Sequence, residues 1–166
     1  MGKTSLVRAI VEPEFLAAGG DAVVFADLFG VGTLSDIATR LRIALQTTLQ
    51  KSFPLATLGK DVLRIAKNLL GVIVALSRSK RVLVVIDEFQ DVEGVAGAEG
   101  IPRGAFQEFP KGTAVLLLGS KKHILARMFS GSDRPFAGWG RDRTHGTDRG
   151  ERQGASRPPS SHSRAH

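Results

Sequence analysis

Residues 82–88 read Val82-Leu83-Val84-Val85-Ile86-Asp87-Glu88, five consecutive apolar side chains running straight into two acids. An apolar run without alternation suits a strand covered on both faces, as in a parallel sheet. In an open α/β sheet ligands sit at the carboxyl ends of the strands, so Asp87 and Glu88 stand where a site is expected. An acidic pair also commonly does no more than solvate a strand end, so this pair needs company to carry chemistry.

Two similar runs lie on either side, AVVFA at 22–26 and TAVLLL at 113–118; with RVLVVI at 81–86 they predict three strands, each bounded by Gly, Asp, Lys or Ser. Helical patterns separate them. After Thr33, the residues Ile37, Leu41, Leu45 and Leu49 recur every fourth position, with Thr33 or Ser35 as N-cap and Pro54 closing the helix. A second helix is predicted from about 58 to 76, with Val62, Ile65, Leu69, Val72 and Leu76 on one face. A third covers 121–129, where Ile124, Leu125 and Met128 face inward and Ser120 caps. Residues 91–112, with five Gly and two Pro, read as a mobile connection or a partly helical loop. Helices alternating with buried strands predict a doubly wound α/β domain.

The chain opens on a second informative stretch. Gly2, Lys3 and Thr4 begin an apolar helix whose face is read as Leu6, Val7 and Ile10, and G-K-T is the back half of the phosphate-binding loop G-x-x-x-x-G-K-[ST]. The chemistry needs these residue types. Amides at a helix start point at phosphates, Gly2 permits close backbone approach, Lys3 reaches the β and γ phosphates, and the Thr4 hydroxyl ligates Mg²⁺. A three-residue match arises by chance in unrelated chains, and it is the joint occurrence with the strand-borne Asp87 and Glu88 that gives it weight. On this reading Asp87 faces the metal and Glu88 the attacking water. Ser120, just past the third strand, is placed to contact the γ phosphate or the water, a role compatible with capping.

At this point four stretches, GKTSLVRAI (2–10), VVFADLFGVGTLSDIATRL (23–41), VLVVIDEFQDV (82–92) and VLLLGSKKHILARMFSGSDRPFAGW (115–139), together resemble the prokaryotic AAA-type ATPases common in archaea, within the STAND-like P-loop group. The resemblance covers residues 1 to about 139, and its most specific features are IDEFQ at 86–90 and the pattern from Gly119 to Trp139. It implies a three-layer P-loop NTPase core with a mainly parallel sheet. Gly2, Lys3, Thr4 and Ser5 would be the nucleotide contacts of Walker A, with Ser120 a sensor-like position. Thr4 and Asp87 would hold Mg²⁺, and Glu88 and Lys3 would be catalytic. ATP and Mg²⁺ are the implied cofactors. Relative to that pattern, the first Walker A glycine, the first strand and the helical lid are expected to be missing, which makes residues 1–139 a partial domain of impaired activity.

Composition adds limits. The 166 residues are 42% apolar and 23% charged, which excludes a wholly disordered or fibrous chain. Residues 140–166 contain no Val, Ile, Leu, Met or aromatic residue and carry six Arg against three acids, so this tail supplies +3 of the formal +7. It is expected to be disordered, a frameshift product by hypothesis. The alternative is a basic arm in a nucleic-acid-binding fragment without nucleotide turnover, although the tail has no lysine and no aromatic for stacking. Arg103, Arg127 and Arg134 stand unranked as arginine fingers. The absence of cysteine excludes disulfides and thiol nucleophiles. His145, His162 and His166 lie in the tail without ligand spacing, and His123 stands alone. No apolar run approaches the ~18 residues of a membrane span, and MGKTS is no signal peptide, so the expected location is the cytoplasm. ATP is the expected partner; self-association and other protein partners stay open, the core gives no signal for nucleic acid, and no membrane contact is expected.

Overall fold

The computed structural model describes residues 2–50, 61–98, 101, 107–121 and 123–124. The elements run α1 (Lys3–Leu6), a π-helical turn (Val7–Val11), α2 (Glu12–Ala17), β1 (Ala22–Asp27), α3 (Leu34–Leu49), α4 (Val62–Ser79), β2 (Val82–Asp87), a 3-10 helix (Phe89–Gly94) and β3 (Ala114–Leu117). The strands form a parallel sheet in the order β1-β2-β3. Asp27 is level with Asp87, and Ile86 with Leu117, so the carboxyl ends of all three strands finish at one edge.

Period-two alternation divides the sheet between two helix layers. Val24, Ala26, Val82, Val84 and Ile86 face α3 and α4 and join Leu41, Leu45, Leu69 and Ile73 in the larger core. Val23, Phe25, Leu83, Val85, Leu116 and Leu118 face the helical run at 3–17, where Val7, Val11 and Phe15 cover them. The result is an α/β fold of three layers, the layout expected of a P-loop NTPase core. Only β2 is buried along its whole length; β1 and β3 are partly exposed, because each pairs on one side alone among the described residues.

The first helix departs from its expected face. Leu6 and Ile10 are exposed, while Val7 is buried and Val11 and Phe15 pack beside it. Pro13 supplies the reason. It has no N–H to give to the carbonyl four residues back and its ring crowds that carbonyl, so the helix widens into a π turn ahead of it. The widened turn aligns positions 7, 11 and 15 on the sheet and turns 6 and 10 outward.

Thr33 is the N-cap of α3. Its side chain accepts from the Asp36 amide, while the Asp36 carboxylate accepts from the Thr33 amide, a reciprocal capping box. The helix ends at Gln50 in the left-handed conformation; Pro54, the expected terminator, lies outside the described residues. Asp61 caps α4, so this helix begins later than expected and its buried face is centred on Ile65, Leu69, Ile73 and Val74, with Val62, Val72 and Leu76 only half-buried on its flank.

The glycine-rich connection is partly helical, and four of its apolar residues are core. Val92, Val95, Ala98 and Ile101 are buried at intervals of three, and each later amide in the series donates to the carbonyl three residues before it. Three residues per turn place them on one line. The helix expected at 121–129 is described only at Lys121, His123 and Ile124, and the tail at 140–166 lies outside the described residues. No helix among the described residues is long and apolar enough to cross a membrane.

Candidate functional site

The π turn and the sheet register bring the start of the first helix against the ends of β2 and β3. The Lys3 ammonium donates to the carbonyl of Gly119, 116 positions along the chain. Thr4 Oγ1 donates to Asp87 Oδ2 across 83 positions. Asp87 is buried, and its second carboxylate oxygen accepts the Glu88 amide at 3.0 Å. Two neighbours hold the end of β2 in place: Leu28 N donates to Asp87 O at 3.0 Å, and Phe89 N to Leu118 O at 3.0 Å.

Glu88 turns the chain out of the strand in the left-handed region, at φ 51° and ψ 39°. For a residue with a Cβ this conformation costs about 1–2 kcal/mol. Its effect is to send the Glu88 side chain across the end of β3, where Oε2 accepts from Ser120 Oγ at 2.9 Å and from the Ser120 amide at 3.3 Å. Gln90 Nε2 donates to the same oxygen. Burial pushes the Glu88 carboxyl up, but the hydrogen bonds from Gln90 and Ser120 outweigh it and hold the group below the ordinary value of 4.5. Glu88 is therefore ionised at neutral pH, an orienting acceptor more than a strong base.

Five of the expected residues, Lys3, Thr4, Asp87, Glu88 and Ser120, thus share one cluster. Gly2 and Ser5 flank it without joining it: Ser5 is exposed, and a Cβ built on Gly2 would meet nothing within 4 Å among the described residues. Ser120 gives its hydroxyl to Glu88. Arg103, Arg127 and Arg134 lie outside the described residues, as do the three tail histidines, and His123 is exposed. Among the described residues no group of three or more His, Cys, Asp or Glu is placed to hold a metal ion.

Two neighbours of the cluster, Gln90 and Asp91, lie in the stretch quoted at 82–92 but were given no role there. Gln90 is 3% exposed, and Asp91 accepts from Gln90 at 3.2 Å and from the Gly30 amide at 3.0 Å, with Lys121 3.7 Å away. The available signal was a carboxamide and an acid one residue beyond the strand-end pair, set between the apolar Phe89 and Val92.

No protein-family model matches the chain, and no curated protein matches it. Among solved structures the chain is similar to a Walker-type ATPase of Pyrococcus abyssi, with 17% identity and a TM-score of 0.48. The match covers 82% of this chain and 43% of that one, so the chain spans less than half of that protein's length.

Proposed function

We propose that this chain carries the nucleotide-binding core of an AAA-type P-loop ATPase, within residues 1–139, and that it binds ATP with Mg²⁺ and hydrolyses it. The observation that carries the reading is the convergence of Lys3, Thr4, Asp87, Glu88 and Ser120, from three distant segments, at the carboxyl edge of a parallel sheet. Unrelated surface residues have no reason to meet in this combination of ammonium, hydroxyl and carboxylates.

Each side chain has a role that its chemistry permits. Lys3, held by one carbonyl, exchanges that partner for phosphate oxygens and offers a compact charge to the β and γ phosphates. The Thr4 hydroxyl and the Asp87 carboxylate fit Mg²⁺: they are hard oxygen donors already in contact, and two protein oxygens alongside phosphates and waters is the usual complement. When bound, the ion would neutralise charge on the transferring phosphoryl group. Glu88, ionised and fixed by Ser120, orients a water toward the γ phosphorus. Gly2 and Ser5 offer backbone amides at the helix start.

Calorimetric titration with ATP, with and without Mg²⁺, tests the reading. The expected result is binding that strengthens with Mg²⁺ and weakens at least tenfold in Lys3→Ala, about 1.4 kcal/mol. Absence of binding by the unaltered chain, or equal affinity in the variant, overturns it.

A further inference from the structure

Gln90 is a buried primary amide in a turn whose other buried residues are Phe89 and Val92. A side chain of this kind is kept only where its polar atoms are used. Its nitrogen is: one N–H goes to Glu88 Oε2 and the other to Asp91 Oδ1 at 3.2 Å. Its oxygen is buried and has no hydrogen-bond partner among the described residues. The orientation follows from charge, because exchanging the two atoms would set a lone-pair oxygen against two carboxylates. Methionine would fill the same volume with no polar atom left over, so the amide is distinguished by its donor end alone.

Asp91 extends the connection. Its other oxygen accepts the Gly30 amide at 3.0 Å, 61 positions away, in the loop between β1 and α3. That loop is held at further points, among them Leu28 N on Asp87 O at 3.0 Å, Phe29 N on Asp27 Oδ1 at 2.9 Å, Gly32 N on Asp36 Oδ2 at 3.1 Å and Arg40 on the Phe29 carbonyl at 3.2 Å. Gly30 sits at φ 69°, and the Phe29 side chain beside it is 67% exposed.

We propose that Gln90 is a positioning residue, whose carboxamide fixes the Glu88 carboxylate beside Ser120 and, through Asp91, ties it to the β1–α3 loop at Gly30. The role given to Glu88 rests on the ATPase reading above; the connection itself rests on the contacts. Glu88 and Asp91 share the Gln90 amide as donor, so movement of the Glu88 carboxylate away from Ser120 disturbs the group that also holds Asp91 Oδ1, which lies 3.7 Å from the Lys121 ammonium. The coupling is reciprocal, as linkage requires, so an event that displaces the loop also displaces the carboxylate.

Two backbone amides report the two ends of this relay, Ser120 for Glu88 and Gly30 for Asp91. Their solvent exchange can be followed by NMR in the full, nitrogen-15-labelled chain, in Gln90→Met and in Asp91→Ala. Gln90→Met should speed exchange at both amides at least fivefold while the amides of Val84 and Ile73 keep their protection. Asp91→Ala, altered at a more exposed position, should free Gly30 directly and speed Ser120 at least threefold through Gln90. With the unaltered chain turning over ATP, Gln90→Met should slow single-turnover hydrolysis about tenfold and leave the MgATP Kd within twofold. Unchanged Ser120 exchange in both variants overturns the proposal, and should Gln90→Met lose core protection, Asp91→Ala decides alone. A chain that does not bind ATP sinks the ATPase reading, while the two amides still decide whether the relay exists.

Discussion

Thr4 and Asp87 meet in a single hydrogen bond, hydroxyl to buried carboxylate, although 83 positions separate them. The bond joins the first turn of the chain to the central strand of the sheet. A hydrogen bond to a charged acceptor contributes about 1.5–3 kcal/mol, and losing the donor leaves a buried carboxylate short of a partner. Thr4→Val, which keeps the shape and removes the hydroxyl, should therefore lower unfolding stability by roughly that amount in urea titrations. It should also bring ATP affinity in Mg²⁺ down to the value measured in EDTA. A variant that kept full Mg²⁺ enhancement would remove Thr4 from the metal-binding pair.

Glu88→Gln separates orientation of water from retention of nucleotide. The amide can still accept from Ser120, yet it lacks the negative charge that attracts the protons of water. Positioned acid–base groups contribute about 10²–10⁴-fold to rate. The expected outcome is a hydrolysis rate reduced at least a hundredfold, with the MgATP Kd within about threefold of the original, since the role proposed for the carboxylate is toward water and not phosphate. Hydrolysis at the original rate would displace Glu88 from the role assigned to it.

Much of the fold was legible because its signals are local. The five apolar residues before Asp87 suit a covered strand, and the recurrence of Ile37, Leu41 and Leu45 gave α3 its face. The meeting of five residues was legible because G-K-T and a strand-end acidic pair, each weak alone, point jointly to the carboxyl edge of the sheet. What escaped depends on geometry that sequence carries only indirectly. Leu6, Val7 and Ile10 satisfied helical spacing, but the π turn forced by Pro13 changed which residues meet the sheet. Val92, Val95, Ala98 and Ile101 recur every third residue, a period of neither α-helix nor strand, inside a stretch whose glycines suggested a mobile connection or a partly helical loop. Gln90 drew no notice by itself, since an amide becomes informative only when its neighbours prove to be two carboxylates.

The capping box of α3 makes a pH-dependent contribution. Hydrogen bonds from the Thr33 side chain, and then from the Gly32 and Thr33 amides, hold the exposed Asp36 carboxyl below its ordinary value of 3.8. A carboxyl that titrates lower in the folded chain than in the unfolded one stabilises the fold above the unfolded value. That contribution disappears as pH falls through the folded value. The difference in melting temperature between the original chain and Asp36→Asn should accordingly be constant from neutral pH down to about pH 5 and shrink below about pH 4. A difference independent of pH down to 2 would show that the box works through the Thr33 side chain alone.

Two adjacent glycines end α2 and feed β1, and the structure ranks them against their backbone angles. Gly19 has φ +83°, where a side chain is strained, but among the described residues a Cβ there would meet only the Arg81 guanidinium at 3.7 Å. Gly20 has no positive φ, yet its Cβ would lie 2.2 Å from Phe15 Cε1 and 2.7 Å from the Phe15 carbonyl oxygen. The ring could rotate; the carbonyl cannot, because it accepts the Gly20 amide at 2.9 Å and belongs to the helix. Phe15 in turn packs against the sheet beside Val85, with the Arg81 guanidinium 5.7 Å from its ring centre. Gly19→Ala should cost about 1 kcal/mol, the ordinary penalty of the left-handed region. Gly20→Ala should cost about 1–3 kcal/mol through overpacking, and the larger of the two losses, because the turn must open to admit the methyl group. Opening it displaces the helical run that carries Lys3 and Thr4, so Gly20→Ala should also weaken MgATP binding while Gly19→Ala should leave it nearly unchanged. Urea unfolding and calorimetry on the two variants check both orders, and a Gly19→Ala loss exceeding that of Gly20→Ala would contradict the close approach at Phe15.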